Sequence, residues 1–216
     1  YKFLLKKKYK ESIILGVLAG STLVAIFLTF SRAAILMLIV GAITFFVLIN
    51  KKKLIMFILI AIIIFFILAS FKFYDENMNL LREASSVARL TNYAVALKVI
   101  SDHPLIGVGF DSYRYTKDLY GLKHDWTNAP SHADAGVDNS FLFVLATTGF
   151  VGLLAYLWLW LSVLQRAFYL RKQKQIGAVV VISSVFALFI NALFLNSLFY
   201  APLMLWMWVI ISLMED

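Results

Sequence analysis

The chain has no cysteine among its 216 residues, which excludes disulfide frameworks, thiolate nucleophiles, Cys-ligated zinc and iron–sulfur clusters together and leaves the redox compartment open. Charge is scarce as well. Only 15% of the residues are Asp, Glu, Lys or Arg, against about 25% in ordinary soluble domains, whose surfaces must meet water. With 62% hydrophobic residues and a mean hydropathy of +0.86, a soluble globule is excluded and the outer surface must meet lipid. No G-x-S-x-G elbow, H-E-x-x-H pair, Walker loop or D-x-D pair occurs, so the common hydrolase, zinc-protease and nucleotide-cleaving chemistries lose support. Internal repeats and low-complexity tracts are absent too. The first residue is Tyr1, and a lysine run precedes the first apolar stretch without a small-residue cleavage site. That pattern reads as a fragment of a longer membrane protein and not as a signal peptide.

What the chain does have is six apolar runs, at 12–30, 33–49, 54–71, 139–164, 176–195 and 198–214. Each is close to the roughly 20 residues a helix needs to cross about 30 Å of hydrocarbon. Fusing the first two across Ser31-Arg32 would give a helix nearly twice too long at about 1.5 Å per residue, so a tight turn is expected there. The predicted fold is all-α, a polytopic membrane helix bundle of about six transmembrane helices. Three lie in 1–71 and three in 139–216, with an extracytoplasmic loop domain over 72–138 between them. This path gathers the Lys2–Lys10 lysines, Lys51–Lys53 and the basic residues of 166–174 on one side, which the positive-inside rule makes cytoplasmic. The net charge of +8 is thus juxtamembrane, suited to anionic lipid headgroups and not to nucleic acid, which would need a basic soluble face.

The loop has structure of its own. A helix is predicted over about 79–100, with Val87, Leu90, Ala94 and Leu97 on the apolar face and Arg82, Ser85, Arg89, Asn92 and Tyr93 opposite. Asp102-His103-Pro104 stops it, since the residue before proline avoids helical torsions. Gly107 and Gly109 read as a structural turn, because the segment lacks the third glycine and the βαβ setting of a nucleotide fingerprint. The polar, aromatic stretch 121–136 suits a loop over a substrate cleft.

Arg32 stands between two apolar runs, at an insertion cost of about 2.5–3.5 kcal/mol for a span centre and less at the edge. It either snorkels to the headgroups as an anchor or faces a cavity and grips an anion. Arg89 either solvates a helix face or joins Arg32, since two converging guanidinium groups can hold a diphosphate without metal. Arg82 can serve the same face. In SHADAGVDNSF, His132 and Asp138 are candidate bases for a hydroxyl nucleophile. The same segment also reads as a polar loop in which Asp138 or Asn139 caps the following helix. With Asp134 these residues offer metal-type donors, but their spacing matches no metal-site signature. His103 and His124 are weaker candidates. No cofactor and no metal is expected.

Three segments in order resemble the O-antigen ligase and polymerase family of bacterial membrane glycosyltransferases. They are LTFSRAAILMLIVG (28–41), RLTNYAVALKVISDHPLIGVGF (89–110) and DNSFLFVLATTGFVGLLAYL (138–157). The resemblance implies the catalytic half of a roughly twelve-span protein of the bacterial cytoplasmic membrane, working in cell-envelope and lipopolysaccharide synthesis. Its donor would be a saccharide on a polyprenyl diphosphate such as undecaprenyl diphosphate, and its acceptor a glycan or lipid-linked glycan at the outer face. Arg32 and Arg89 would contact the diphosphate. The family's histidine base is replaced by Asp138 here, with His132 six residues earlier, so the resemblance leaves the base and the choice of ligase or polymerase open. The expected reaction is metal-independent and inverting. The alternative from another class is a transporter or flippase of an anionic lipid-linked glycan.

Overall fold

The computed structural model of the protein describes residues 9–29, 31–56, 83–120, 136–212 and 214. Arg82, His124, Asp134, His132 and most of the third apolar run lie outside the described residues. Among the described residues every regular element is helical: α1 (Tyr9–Leu28), α2 (Arg32–Leu48), α3 (Glu83–Asp102), α4 (Tyr113–Leu119), α5 (Ser140–Lys172), α6 (Ile176–Ala192), a 3-10 turn (Ser197–Phe199) and α7 (Ala201–Ser212). α1 and α2 are separate helices. The break is held by Ser31, which is extended and accepts a hydrogen bond from the Ala34 N–H at 3.3 Å, so that α2 starts at Arg32 with a capped N-terminus.

α2 packs along α6, and α6 against α5. The Arg171 guanidinium, in the last turn of α5, donates to the Leu48 carbonyl at 3.0 Å, which satisfies an orphan acceptor at the C-terminal end of α2. The contact sets Leu48, Arg171 and the start of α6 together at one end of the bundle. Arg32, Ser140 and the end of α6 share the opposite end. One core joins Trp160, Ala167 and Leu170 of α5 to Ala178, Val181, Ile182, Val185 and Leu188 of α6 and Met207 of α7. The outward faces are apolar too, with Leu154 66%, Trp158 72% and Trp206 69% exposed. Helices apolar on both sides are suited to a hydrocarbon surround.

α5 is not the uninterrupted apolar helix its sequence suggests. It runs from Ser140 to Lys172 and is broken at Gly149, where φ is 65° and ψ is −169°. A break frees carbonyls in the turn before it and N–H groups in the turn after it. The loop that follows α3 takes up both sets. The Val108 and Gly109 N–H groups donate to the Ala146 and Thr147 carbonyls at 3.0 and 2.8 Å, while the Phe150 and Val151 N–H groups donate to the Pro104 and Leu105 carbonyls at 2.8 and 3.2 Å. Both contacting segments need glycine, because a Cβ on Gly149 would meet the Leu105 backbone and one on Gly107, also at φ 65°, would meet the Thr147 backbone. The part of α5 beyond the break, from Phe150 to Lys172, is about 34 Å long at the helical rise. That length by itself matches the hydrocarbon thickness.

The break also divides the packing. Before it, Phe143 and Ala146 of α5 join Ala96, Val99 and Ile100 of α3 and Tyr113 of α4 in a second core. α3 therefore turns toward the bundle a different face from the one its periodicity proposes. Leu90 and Leu97 are 66% and 53% exposed, whereas Ala96 and Val99 are fully buried and Arg89, Asn92 and Tyr93 are half-buried. Arg89 and Tyr93 of the supposed polar face line a cavity, and Tyr93 hydrogen-bonds to neighbouring backbone. The Tyr120 hydroxyl donates to the Asp102 carboxylate, tying the residue after α4 to the end of α3.

Candidate active site

The segment Asp138-Asn139-Ser140 fastens the entry of α5 to its neighbours, with one task for each residue. Asn139 is the N-cap. Its Oδ1 accepts from the Phe141 and Leu142 N–H groups at 2.9 and 3.0 Å, and its Nδ2 donates to the Leu193 carbonyl at 3.2 Å. The Ser140 hydroxyl, fully buried, donates to the Leu195 carbonyl at 3.0 Å and accepts from the Leu198 N–H at 3.2 Å. Among the described residues Asp138 contributes its carbonyl, which accepts from the Tyr93 hydroxyl at 2.8 Å. The same hydroxyl lies 3.0 Å from the Leu193 carbonyl. Capping thus falls to Asn139, and the Asp138 carboxylate is left to line a cavity.

Two cavities flank this fastening. The first, about 370 Å³, is lined by Arg32 and Ala33 at the start of α2, Leu36, Arg89, Leu90 and Tyr93 of α3, and Leu193 and Phe194 after α6. It brings Arg32 and Arg89 to one space. Among the described residues no carboxylate lines it and neither arginine forms an ion pair. Arg32 is the first residue of α2, where the helix dipole already carries partial positive charge and a cation is disfavoured unless an anion is there to be held. Two arginines and a helix N-terminus therefore border one space that, among the described residues, holds positive charge without a carboxylate.

The second cavity, about 450 Å³, is lined by Phe110, Asp111, Arg114, Tyr115, Gly136, Val137, Asp138, Phe143, Asn196 and Phe199. Tyr93 links the two, as a lining residue of the first and a hydrogen-bond donor to Asp138 of the second. Burial pushes the Tyr93 pKa up; the Arg89 charge opposes this and Asp138 reinforces it. The hydroxyl thus stays protonated and able to donate. Burial likewise pushes the Tyr113 pKa up. Among the described residues no three His, Asp or Glu side chains cluster.

A family model described as O-antigen ligase matches residues 16–157, more than half of the chain. The chain belongs to the O-antigen ligase family. No curated protein matches it. Membership assigns the protein to glycan transfer of the O-antigen ligase and polymerase type, in polysaccharide synthesis at a membrane. The matched span takes in Arg32, Arg89 and Asp138, together with Gly107 and Gly149 of the helix break. Asn196 and Phe199, which close the second cavity, fall beyond it. Of the candidate residues named from sequence, Arg32 and Arg89 meet in one cavity, Asp138 lines the other, and His132 lies outside the described residues. Sequence reasoning missed Arg114 and Asn196 and gave Tyr93 no role of its own. Arg114 had no signal beyond a polar residue in a short segment, whereas the tyrosine one helical turn after Arg89 was a clue to a polar lining.

Proposed function

We propose that the protein transfers or polymerises glycan from a polyprenyl-diphosphate-linked donor onto an acceptor hydroxyl at the outer face of the cytoplasmic membrane. The observation that carries this is the cavity shared by Arg32 and Arg89, which has no carboxylate among its described lining residues. Its two arginines suit the leaving lipid diphosphate, and fork-shaped guanidinium donors need no divalent cation to hold it. The orientation draws support from the end-to-end sorting of the bundle. Arg171, Lys172 and Lys174 line a cavity with Leu48 at the end away from Arg32, as the positive-inside rule requires of the cytoplasmic side.

In this reading the acceptor oxygen attacks the anomeric carbon from the face opposite the diphosphate. Its proton passes to the Asp138 carboxylate, the new C–O bond forms, and the old bond breaks with its electron pair leaving on the phosphate oxygen. The sugar configuration inverts. Negative charge grows on the diphosphate as the bond breaks, so Arg32 and Arg89 bind the transition state more strongly than the ground state. Tyr93 fixes the distance between the arginine-bearing helix and the segment bearing the base. His132, close in sequence, is the other candidate for proton acceptor.

The transporter alternative gains one point from the broken helix, since discontinuous helices form many transport sites. Against it, the groups freed at Gly149 are taken by the 104–109 loop and line neither cavity. The experiment is reconstitution of the full-length protein in liposomes with a fluorescent polyprenyl-diphosphate oligosaccharide and an acceptor glycan, in excess chelator. A new glycosidic bond with release of lipid diphosphate is expected. Movement of the lipid-linked glycan between leaflets without a new bond would replace this reading with the transporter.

A further inference from the structure

The arginine cavity accounts for the leaving group but leaves the second cavity, on the Asp138 side, without an occupant. At about 450 Å³ it falls in the range of roughly 300–1,000 Å³ typical of small-molecule sites. Its lining differs in kind from that of the first. Phe110, Phe143 and Phe199 form one aromatic cluster, with ring centroids 5.6 Å apart for Phe110 and Phe143 and 5.2 Å for Phe143 and Phe199. Phe110 is 56% exposed, so the cluster offers an accessible aromatic surface beside polar groups. Arg114, Asp111, Asp138 and Asn196 supply those groups.

Two of the polar groups are unspent. Arg114 Nε, a donor, and Asn196 Oδ1, an acceptor, are buried and have no hydrogen-bond partner among the described residues. Buried polar groups in native proteins are nearly always satisfied, and an orphaned donor and acceptor on two residues that line one cavity point to a ligand carrying both functions. Nor is Arg114 neutralised by an ion pair with Asp111 or Asp138 among the described residues. The space carries charge of both signs: Asp111 and Asp138 repel a carboxylate or phosphate, and Arg114 repels an ammonium group. Aromatic surface for the C–H face of a ring, together with planar donors and acceptors for hydroxyls, selects an uncharged polyhydroxylated ring.

We infer that this cavity is the acceptor subsite and takes an uncharged sugar ring, with Arg114 and Asn196 as its specificity-determining residues. The inference rests on the reading of Asp138 as the base, because the carboxylate that lines the cavity is the group that would draw the proton from the bound hydroxyl. Arg114 lies on α4 and Asn196 before the 3-10 turn. The subsite is therefore built from segments on either side of α5. Asn196 also stands beyond the residues matched by the family model, where the choice of acceptor can vary without disturbing the diphosphate cavity.

The test uses the full-length protein in nanodiscs and two separate readouts. Saturation-transfer NMR follows binding of methyl hexopyranosides bearing a neutral, a carboxylate or an amine substituent, and fluorescence follows binding of a polyprenyl-diphosphate oligosaccharide. The neutral glycoside should bind best, and Arg114→Gln and Asn196→Ala should each weaken it about tenfold while donor affinity stays within twofold of wild type. Arg114→Lys, which keeps the charge and loses the fork, should fall between. The inference is overturned if both substitutions leave glycoside binding intact, if the carboxylate or amine glycoside binds best, or if Arg114→Gln weakens the donor instead. Should Arg32→Ala and Arg89→Ala keep full donor affinity while Arg114→Gln loses the neutral glycoside, the sugar subsite stands and the diphosphate reading falls.

Discussion

The Tyr93 hydroxyl donates to the Asp138 carbonyl at 2.8 Å, one hydrogen bond joining the helix that carries Arg89 to the segment that carries the candidate base. A second acceptor, the Leu193 carbonyl, lies 3.0 Å away, so three segments meet at one phenolic oxygen. Tyr93→Phe keeps the ring and removes the donor. Since a hydrogen bond of this kind contributes about 0.5–1.5 kcal/mol, the melting temperature should fall by only a few degrees. The turnover number should fall about tenfold with donor affinity unchanged, because what is lost is the spacing between the two halves of the site. Burial raises the Tyr93 pKa in the folded protein. Its contribution is then fully present below the ordinary tyrosine value of about 10 and is lost as pH rises through the folded value. The stability gap between wild type and Tyr93→Phe should accordingly be flat through neutral pH and narrow only above about pH 10. A gap that closes between pH 6 and 8 would mean that another group controls this contact.

The helix break makes a second prediction, on stability. Gly107→Ala and Gly149→Ala each put a methyl group into the backbone of the other segment and force a residue into a positive φ. Each should cost more than about 3 kcal/mol and abolish the monodisperse peak in detergent gel filtration. Gly16→Ala and Gly20→Ala are the controls, because a Cβ at either position meets nothing within 4 Å. They should leave yield and melting temperature unchanged or slightly improved, as alanine favours helix.

The contrast between those glycines shows where sequence reasoning reached and where it stopped. The helix stop at Asp102-His103-Pro104 was readable, because proline restricts its predecessor through local sterics alone. So was the family, because three spaced segments together carry far more information than any one motif. Gly149 was not readable. In ATTGFVG it looks like any small residue in an apolar helix, and only the loop at 104–109, some 40 residues away in sequence, shows that the helix opens there. The face of α3 was misread for a related reason. Periodicity assumes that polar residues meet water, and Arg89 and Tyr93 instead line a cavity, with Tyr93 also bonded to backbone carbonyls. Pairing Arg32 with Arg89 came from the resemblance and not from spacing. Arg114 and Asn196 had no sequence signal because their meaning lies in each other's proximity.

Neighbouring residues of the Asp138-Asn139-Ser140 segment should separate into chemical and mechanical roles. Asp138→Asn keeps the shape and the carbonyl that Tyr93 uses but loses the proton acceptor. Transfer should drop about 10²- to 10⁴-fold, the usual contribution of a general base, with melting temperature and donor affinity near wild type. Asn139→Ala removes the cap of α5 and should cost about 1 kcal/mol of stability while leaving turnover per folded molecule within a few-fold. His132→Ala completes the set. If it abolishes transfer and Asp138→Asn does not, the proton acceptor is His132 and the Asp138 carboxylate has no part in proton transfer.

The arginine cavity yields the last prediction, about coupling. Arg32 and Arg89 come from α2 and α3 yet line one space with no carboxylate among the described residues, so both should act on a single diphosphate. Arg32→Lys and Arg89→Lys keep the charge but not the bidentate fork, and each should lower kcat/KM by about 10- to 100-fold. Groups that grip one ligand do not contribute independently. Once the first lysine has loosened the diphosphate, the second substitution should cost less than it does alone, and the double variant should fall short of the product of the single effects. The measurement is a double-mutant cycle on initial transfer rates, with product stereochemistry followed by anomeric NMR as a check that inversion persists. Full multiplicativity would place the two guanidinium groups on different ligands, which would dismantle the shared-diphosphate reading even if both arginines proved necessary.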